Sequence, residues 1–139
     1  MIGIVIVAHG GLARELLAAL EHVVGPQDGV RAVCVEPECD RMQKSTEICS
    51  AADAVDQGHG VILATDLHGG SPSNLSKEAC RPPGRMNVYG VNLAVLIVLA
   101  KSRHLPLSEA VAISVMGGRK YLGSPGEQPS DLRLASGHG

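Results

Sequence analysis

Two titratable side chains stand at the ends of apolar runs that have the composition of buried strands. His9 follows the run at residues 2–8, and Asp66 follows the run at residues 61–65. In an open α/β sheet, ligands bind beyond the carboxyl ends of the strands. If these two strands are neighbours, the imidazole and the carboxylate come within reach of each other.

A pair of glycines follows each of these positions, Gly10-Gly11 after the histidine and Gly69-Gly70 shortly after the aspartate. Glycine lets the backbone approach a ligand closely and adopts positive φ without strain. Helices are predicted to begin just beyond both turns, and the free N–H groups at a helix start attract anions. The pattern predicts an anion site beside an imidazole.

A histidine, a carboxylate and an anion-binding turn together indicate phosphoryl transfer through a phosphohistidine. Neutral imidazole is a competent nucleophile at about pH 7. A carboxylate that accepts the proton of one ring nitrogen fixes the tautomer and leaves the other nitrogen free to attack. We therefore predict His9 and Asp66 as the catalytic pair, with turn amides and hydroxyls holding the phosphoryl oxygens. The predicted phosphoryl-binding residues are Gly10, Gly69, Gly70, Ser71 and Ser73.

Each of these features also has an ordinary structural explanation. A histidine at a strand end is more often a hydrogen-bonded structural residue, and paired glycines are common in tight turns. The occurrence of the same pattern at two strand ends favours a functional site. His68, beside the predicted site, either lines it or is an ordinary surface-loop residue. Zinc binding by His9, His68 and Asp66 has no supporting C-x-x-C or H-x-x-x-H spacing, so we predict neither metal nor cofactor.

Composition and charge exclude several classes of protein. Apolar residues make up 45% of the 139 residues, with no Phe or Trp, which is typical of α/β proteins with buried parallel sheets. The net charge of −2 gives no reason to expect nucleic acid or an anionic membrane as partner. The longest apolar run, residues 93–100, is too short to span a bilayer, and no cleavable leader is recognised. The four cysteines lack redox or zinc spacing, so we expect a cytoplasmic protein with reduced thiols.

The elements that position the site follow the order β-α-β-α-β-α-β-α-α, which predicts an open parallel sheet with helices on both faces. Apolar runs and helical spacing predict strands at residues 2–8, 30–35, 61–65 and 87–91, and helices at 12–24, 71–80, 92–103 and 108–116.

Helix boundaries are predicted from capping residues. A further helix begins after Asp40, with an apolar stripe formed by Met42, Ile48, Ala52 and Val55. Ser71 is predicted to cap the third helix, with Pro72 at its first position. Gly117-Gly118 is predicted to lie near the end of the last helix.

Four stretches of the chain form a recognisable set: IVIVAHGGLARELLAAL, TDLHGGSPSN, YGVNLAVLIVLA and EAVAISVMGGRKYL. Together they resemble the IIA component of the mannose family of the bacterial phosphoenolpyruvate-dependent sugar phosphotransferase system (PTS). The similarity is collinear over residues 1–122, and Gly-Gly-Ser-Pro is its most specific part.

The resemblance implies a fold and an activity. The fold is a doubly wound sheet of four parallel strands in the order 2-1-3-4, with a fifth, antiparallel strand exchanged in a homodimer. His9 would accept a phosphoryl group from phospho-HPr and pass it to a IIB protein that works with separate membrane permease subunits, while Asp66 orients the histidine. This gives a phosphotransferase domain at residues 1–122 and a tail at 123–139, partly flexible or providing the exchanged strand through SDLRLAS.

The chain departs from the family pattern around the rim of the predicted site. Leu67 and His68 stand where the family often has Thr-Trp, and Ala94 replaces a frequent proline; we assign Leu67, His68 and Asn92 to the rim or partner surface. Three other functions stay open: a regulatory phosphohistidine module, a phosphocarrier subunit of a dihydroxyacetone kinase, and a small-ligand or nucleotide-binding domain. The kinase subunit is less favoured because its family lacks Gly-Gly-Ser-Pro.

Overall fold

A computed structural model describes residues 1–126 of the chain and contains one four-stranded sheet within that range. The strands are β1 (Gly3–His9), β2 (Val30–Val35), β3 (Val61–Thr65) and β4 (Arg85–Val88). All neighbouring strands pair in parallel, and their order is β2-β1-β3-β4. The predicted fold class and strand order are confirmed. The candidate exchanged strand, SDLRLAS, lies outside the described residues.

Five α-helices connect or follow the strands in the described part of the chain. They are α1 (Leu12–Val24), α2 (Arg41–Val55), α3 (Ser71–Leu75), α4 (Leu93–Lys101) and α5 (Leu107–Lys120), and a 3₁₀ turn at Glu78–Cys80 follows α3. Over residues 1–126, none of these helices has the length and the apolar character needed to cross a bilayer.

The central strand β1 is buried on both faces. Successive side chains of a strand point to opposite faces. Ile4 and Ile6 pack with residues of α1, α4 and α5, whereas Val5 and Val7 pack with residues of α2 and α3. This explains why the strand reads as an uninterrupted apolar run. His9 is in phase with Val5 and Val7, and therefore lies on the face that α2 and α3 cover.

The start of α2 confirms one prediction and corrects another. The Asp40 carboxylate caps the helix, accepting a hydrogen bond from the Gln43 backbone N–H at 3.0 Å. Ile48, like the other predicted stripe residues Ala52 and Val55, is buried. Met42 is 81% exposed and its predicted burial is wrong. The six-residue step from Met42 to Ile48 is about 1.7 helical turns, which puts the two side chains on different faces.

Two other predicted boundaries are wrong because tertiary contacts determine them. Strand β4 spans Arg85–Val88 instead of the predicted 87–91, and it ends before a turn in which Gly90 has a φ of +72°. Helix α5 continues through Gly117-Gly118 to Lys120. A Cβ on Gly118 would overlap Val95 Cγ2 of α4, so the glycine permits close packing of two helices instead of ending one.

The predicted single helix at 71–80 is divided into α3 and the 3₁₀ turn. At the end of α3 the Ser76 hydroxyl donates a hydrogen bond to the Pro72 carbonyl oxygen at 2.6 Å. Such a side-chain bond competes with regular helical pairing. The segment therefore turns soon after it leaves the edge of the sheet.

Gly3 generates a prediction about stability. A Cβ at this buried position would overlap the carbonyl oxygen of Val55 at the end of α2. We expect Gly3→Ala to lower the free energy of unfolding by about 1–3 kcal/mol, because backbone atoms must move to make room. Urea denaturation measures the change.

Gly123→Ala is the matched control, since a Cβ there has no neighbour within 4 Å. Its unfolding free energy should stay within about 0.5 kcal/mol of the original. Equal effects of the two substitutions would contradict the packing explanation.

Candidate functional site

His9 and Asp66 meet at the carboxyl edge of the sheet. His9 is the last residue of β1, and Asp66 directly follows β3, whose Thr65 pairs with Val7. Asp66 Oδ2 accepts a hydrogen bond from the His9 backbone N–H at 3.0 Å and lies 2.9 Å from His9 Nδ1. The predicted proximity of the two side chains is confirmed.

This geometry assigns the tautomer of the imidazole. An ionised carboxylate only accepts hydrogen bonds, so the Nδ1–H group donates to Asp66 Oδ2 and Nε2 holds the free lone pair. The His9 side chain is 47% exposed, whereas that of Asp66 is 10% exposed. The ring is therefore accessible to another molecule while the group that orients it is sheltered.

The turn before α3 packs against the imidazole. A Cβ on Gly70 would lie 3.1 Å from His9 Cε1 and 3.5 Å from Nε2. Because the first of these distances is tighter than an ordinary van der Waals contact, Gly70 lets the backbone stay beside the free nitrogen. Gly10 and Gly69 have φ values of +56° and +80°, and a side chain at either position would strain the turn.

A cleft of about 290 Å³ lies beside the imidazole, and we call it the His9 cleft. It is formed where β1 and β2 end and where α2 and α3 begin. Its lining residues are His9, Gly10, Val35, Glu36, Pro37, Cys39, Arg41 and Ser71.

Three predicted site residues reach the His9 cleft: His9, Gly10 and Ser71. Ser71 is the first residue of α3, with Gly70 as the N-cap, so its predicted capping role is wrong. Gly70 has an extended backbone at the capping position, which leaves the Ser71 hydroxyl free for another contact. Arg41 Nη1 donates to Ser71 Oγ across the cleft at 3.5 Å.

The predicted residues outside the cleft have different surroundings. Asn92 Oδ1 accepts a hydrogen bond from the Val95 N–H at 2.9 Å and thus caps α4. Leu67 is 58% exposed, and the exposed His68 ring packs against Tyr89 with a centroid distance of 4.2 Å. Ser73 is half-buried in α3.

The acidic residue of the His9 cleft is neutralised by a lysine outside it. Lys44 Nζ lies 3.1 Å from Glu36 and 3.0 Å from Glu47. The hydrogen bond from Lys44 lowers the pKa of Glu36, so this carboxylate is ionised at neutral pH beside a compensating charge. Across residues 1–126, no group of three or more His, Cys, Asp or Glu side chains is placed to hold a metal ion.

Sequence reasoning missed Arg41, Glu36 and Cys39. Their signal is positional, because all three follow β2 and the carboxyl ends of parallel strands share one edge of the sheet. Among the strand ends, only those of the first and third strands carry a titratable residue with paired glycines nearby, which is the pattern that predicted the site.

The chain matches a known family over most of its length. The family described as PTS system fructose IIA component matches residues 3–116. The PTS system mannose-specific EIIAB component of Escherichia coli strain K12 is 29% identical over 122 residues, which cover 86% of this chain and 38% of that protein. The chain thus spans about two-fifths of the length of that relative.

Solved structures share the fold. The mannose/sorbose-specific IIA subunit of the phosphotransferase system from Enterococcus faecalis superposes with a TM-score of 0.79 at 24% identity, covering 88% of this chain and 92% of that chain. The PTS IIA protein associated with the fucose utilization operon of Streptococcus pneumoniae has a TM-score of 0.75 at 26% identity, with the same coverage.

The hydrogen bond between the imidazole and the carboxylate generates a prediction about the tautomer. At a pH where the ring is neutral, nitrogen NMR should show His9 with Nδ1 protonated and Nε2 free. Asp66→Asn removes the negative charge that holds this proton, so we expect a mixture of tautomers. Glu36→Gln is the control, because Glu36 pairs with Lys44 and should leave the His9 signals unchanged. An unchanged tautomer in Asp66→Asn would contradict the assigned role of the carboxylate.

Proposed function

The chain belongs to the family of PTS system fructose IIA components, and on that premise we propose that it carries phosphoryl groups on His9. Members of this family are phosphotransferases. In the proposed reaction, His9 accepts the group from phospho-HPr and passes it to a IIB protein for sugar uptake and phosphorylation. We assign this activity to a domain of residues 1–122.

One observation carries the proposal: the 2.9 Å contact between His9 Nδ1 and Asp66 Oδ2, beside an open cleft. If His9 had a purely structural role, a half-exposed ring whose second nitrogen lacks a hydrogen-bond partner would add little to the stability of the fold. A nucleophile requires this arrangement, because it needs a free lone pair and a fixed direction of attack.

The transfer step follows from the tautomer. The Nε2 lone pair forms a bond to phosphorus as the P–N bond to the donor imidazole breaks, and the electron pair of that bond stays with the donor. His9 keeps its Nδ1 proton throughout, so the ring becomes positively charged on phosphorylation. Asp66 stabilises this charge at 2.9 Å. Transfer to the IIB protein reverses the step and restores the neutral ring.

The proposed phosphoryl-binding groups belong to the turns beside His9 and to the start of α3. Gly70 lies against the ring, and Gly10 and Ser71 line the His9 cleft, which supports their role. Gly69 of the same turn and Ser73 of α3 complete the proposed set. Proline has no N–H group, so Pro72 contributes no donor and the binding depends on its neighbours.

The proposed partners meet the chain at the same edge of the sheet. Phospho-HPr is the donor and a IIB protein is the acceptor, with membrane permease subunits as separate polypeptides in the cytoplasmic membrane. The exposed Leu67 and His68 form part of the surface that these partners contact. The proposed protein is a homodimer, as the family resemblance implies.

Phosphorylation with purified components tests the proposal. After incubation with phosphoenolpyruvate, enzyme I and HPr, intact mass should show one added phosphoryl group that is lost in acid. His9→Ala should gain none, because the nucleophile is absent. His104→Ala, which alters an exposed histidine that does not line the His9 cleft, is the control and should still be labelled. Absence of label from the unmodified protein, or its presence in His9→Ala, would end the proposal.

Discharge tests the second half of the reaction. The labelled protein should lose its phosphoryl group rapidly when a IIB protein is added, and the loss should appear as label on that partner. Label that persists in the presence of competent IIB proteins would instead indicate a regulatory phosphohistidine.

A further inference from the structure

We propose that Arg41 is a further catalytic residue, whose guanidinium binds the phosphoryl oxygens while the group is on His9. This inference rests on the proposed function and adds to it a cation supplied by the chain itself. Arg41 lies outside the motifs that predicted the site and outside the four stretches that resemble the family.

The first support is location. Arg41 is the first residue of α2, and it lines the His9 cleft together with His9, Gly10 and Ser71. Its Nη1 atom lies 3.5 Å from Ser71 Oγ. Ser71 adjoins Gly70, the residue that packs beside Nε2. A phosphoryl group on Nε2 extends into the space that these side chains share.

The second support is charge. Within residues 1–126, no carboxylate lies within 4 Å of the Arg41 guanidinium, whereas Arg14 and Arg81 each have one such partner and Arg85 has two. The acidic residue of the cleft, Glu36, is paired with Lys44. The positive charge of Arg41 is therefore available for an anion that enters the cleft.

The third support is that helix stability does not explain an arginine here. The N-terminus of a helix carries a partial positive charge, so a cation in the first turn is unfavourable. The Arg41 side chain is also exposed, so it is not part of the core that α2 covers. An anion between this helix start and His9 would be attracted by both the guanidinium and the helix N-terminus. It would thereby offset the repulsion between these two positive charges.

Guanidinium chemistry suits the proposed role. Its planar set of N–H donors binds two phosphoryl oxygens at once, and a charge-assisted bond is stronger than a neutral one. In the transfer step the P–N bond to the donor histidine breaks as the bond to His9 Nε2 forms, and the three peripheral oxygens carry the negative charge. Arg41 would hold these oxygens in line while Asp66 holds the ring.

The experiment compares Arg41→Gln and Arg41→Lys with the unmodified protein in a rapid-quench assay with phospho-HPr. In this assay kcat is the rate constant of phosphoryl transfer at saturating phospho-HPr. We expect Arg41→Gln to lower kcat by roughly 10–100-fold, because a charge-assisted contact is lost. Arg41→Lys should recover part of the rate. Arg31→Gln is the matched control, since Arg31 is an exposed residue of β2 roughly 13 Å along the strand from its carboxyl end. It should leave kcat unchanged.

A second measurement needs no partner. In the isolated phosphorylated protein, a nearby guanidinium disfavours protonation of the phosphohistidine, so its titration followed by phosphorus NMR should move to higher pH in Arg41→Gln. A merely structural arginine would not produce this shift. If the glutamine variant does not fold, Arg41→Ala serves the same comparison, because it also removes the positive charge.

The outcomes separate the two proposals. If the unmodified protein gains no phosphoryl group, the proposed function itself fails. If it does, and Arg41→Gln has unchanged kcat and an unchanged phosphorus titration, only the role of Arg41 fails. An effect confined to KM for phospho-HPr would also overturn it, because Arg41 would then contact the partner and not the phosphoryl group.

Discussion

The site depends on one hydrogen-bonded pair, His9 Nδ1 and Asp66 Oδ2, and that pair depends on the parallel pairing of β1 with β3. The same carboxylate oxygen also accepts the backbone N–H of His9. It therefore fixes both the strand end and the ring that projects from it. A shift of one residue in the register would move the histidine to the opposite face of the sheet.

The burial of β1 explains why this pair is held so firmly. Side chains from helices on both faces pack against the strand, and Gly3 lets α2 approach its start. The close-packed interior deforms little, so the last residue of the strand has a defined position. The groups that would contact a phosphoryl ligand lie instead on glycine turns and helix starts at the surface. The close-packed sheet thus carries the accessible turns of the site at its carboxyl edge.

Two acidic side chains in and beside the His9 cleft are each paired with a hydrogen-bond donor or a cation. Asp66 is paired with the His9 imidazole, and Glu36 is paired with Lys44. Among the described residues, the Arg41 guanidinium hydrogen-bonds only to a neutral hydroxyl, that of Ser71. An incoming anion therefore meets a cation and a neutral ring, although acidic residues lie close by.

Much of the fold was predictable because the sequence marks its boundaries sharply. Strands β2 and β3 and helix α1 have their predicted ends, since Gly-Gly, Gly-Pro or polar residues interrupt strong periodicity there. The wrong predictions concern residues whose sequence pattern is compatible with two different structures. Gly117-Gly118 resembles a helix end, but it allows close contact with α4, and Ser71 resembles a cap but faces the cleft.

By itself, the sequence determined the α/β class, the strand ends that carry His9 and Asp66, and the glycine turns beside them, because periodicity and turn chemistry are local properties. Tertiary structure alone decided which ring nitrogen is free, which glycines allow close packing, and that Arg41 shares a cleft with His9. Those features depend on how distant segments pack together, and local sequence patterns contain no record of such contacts.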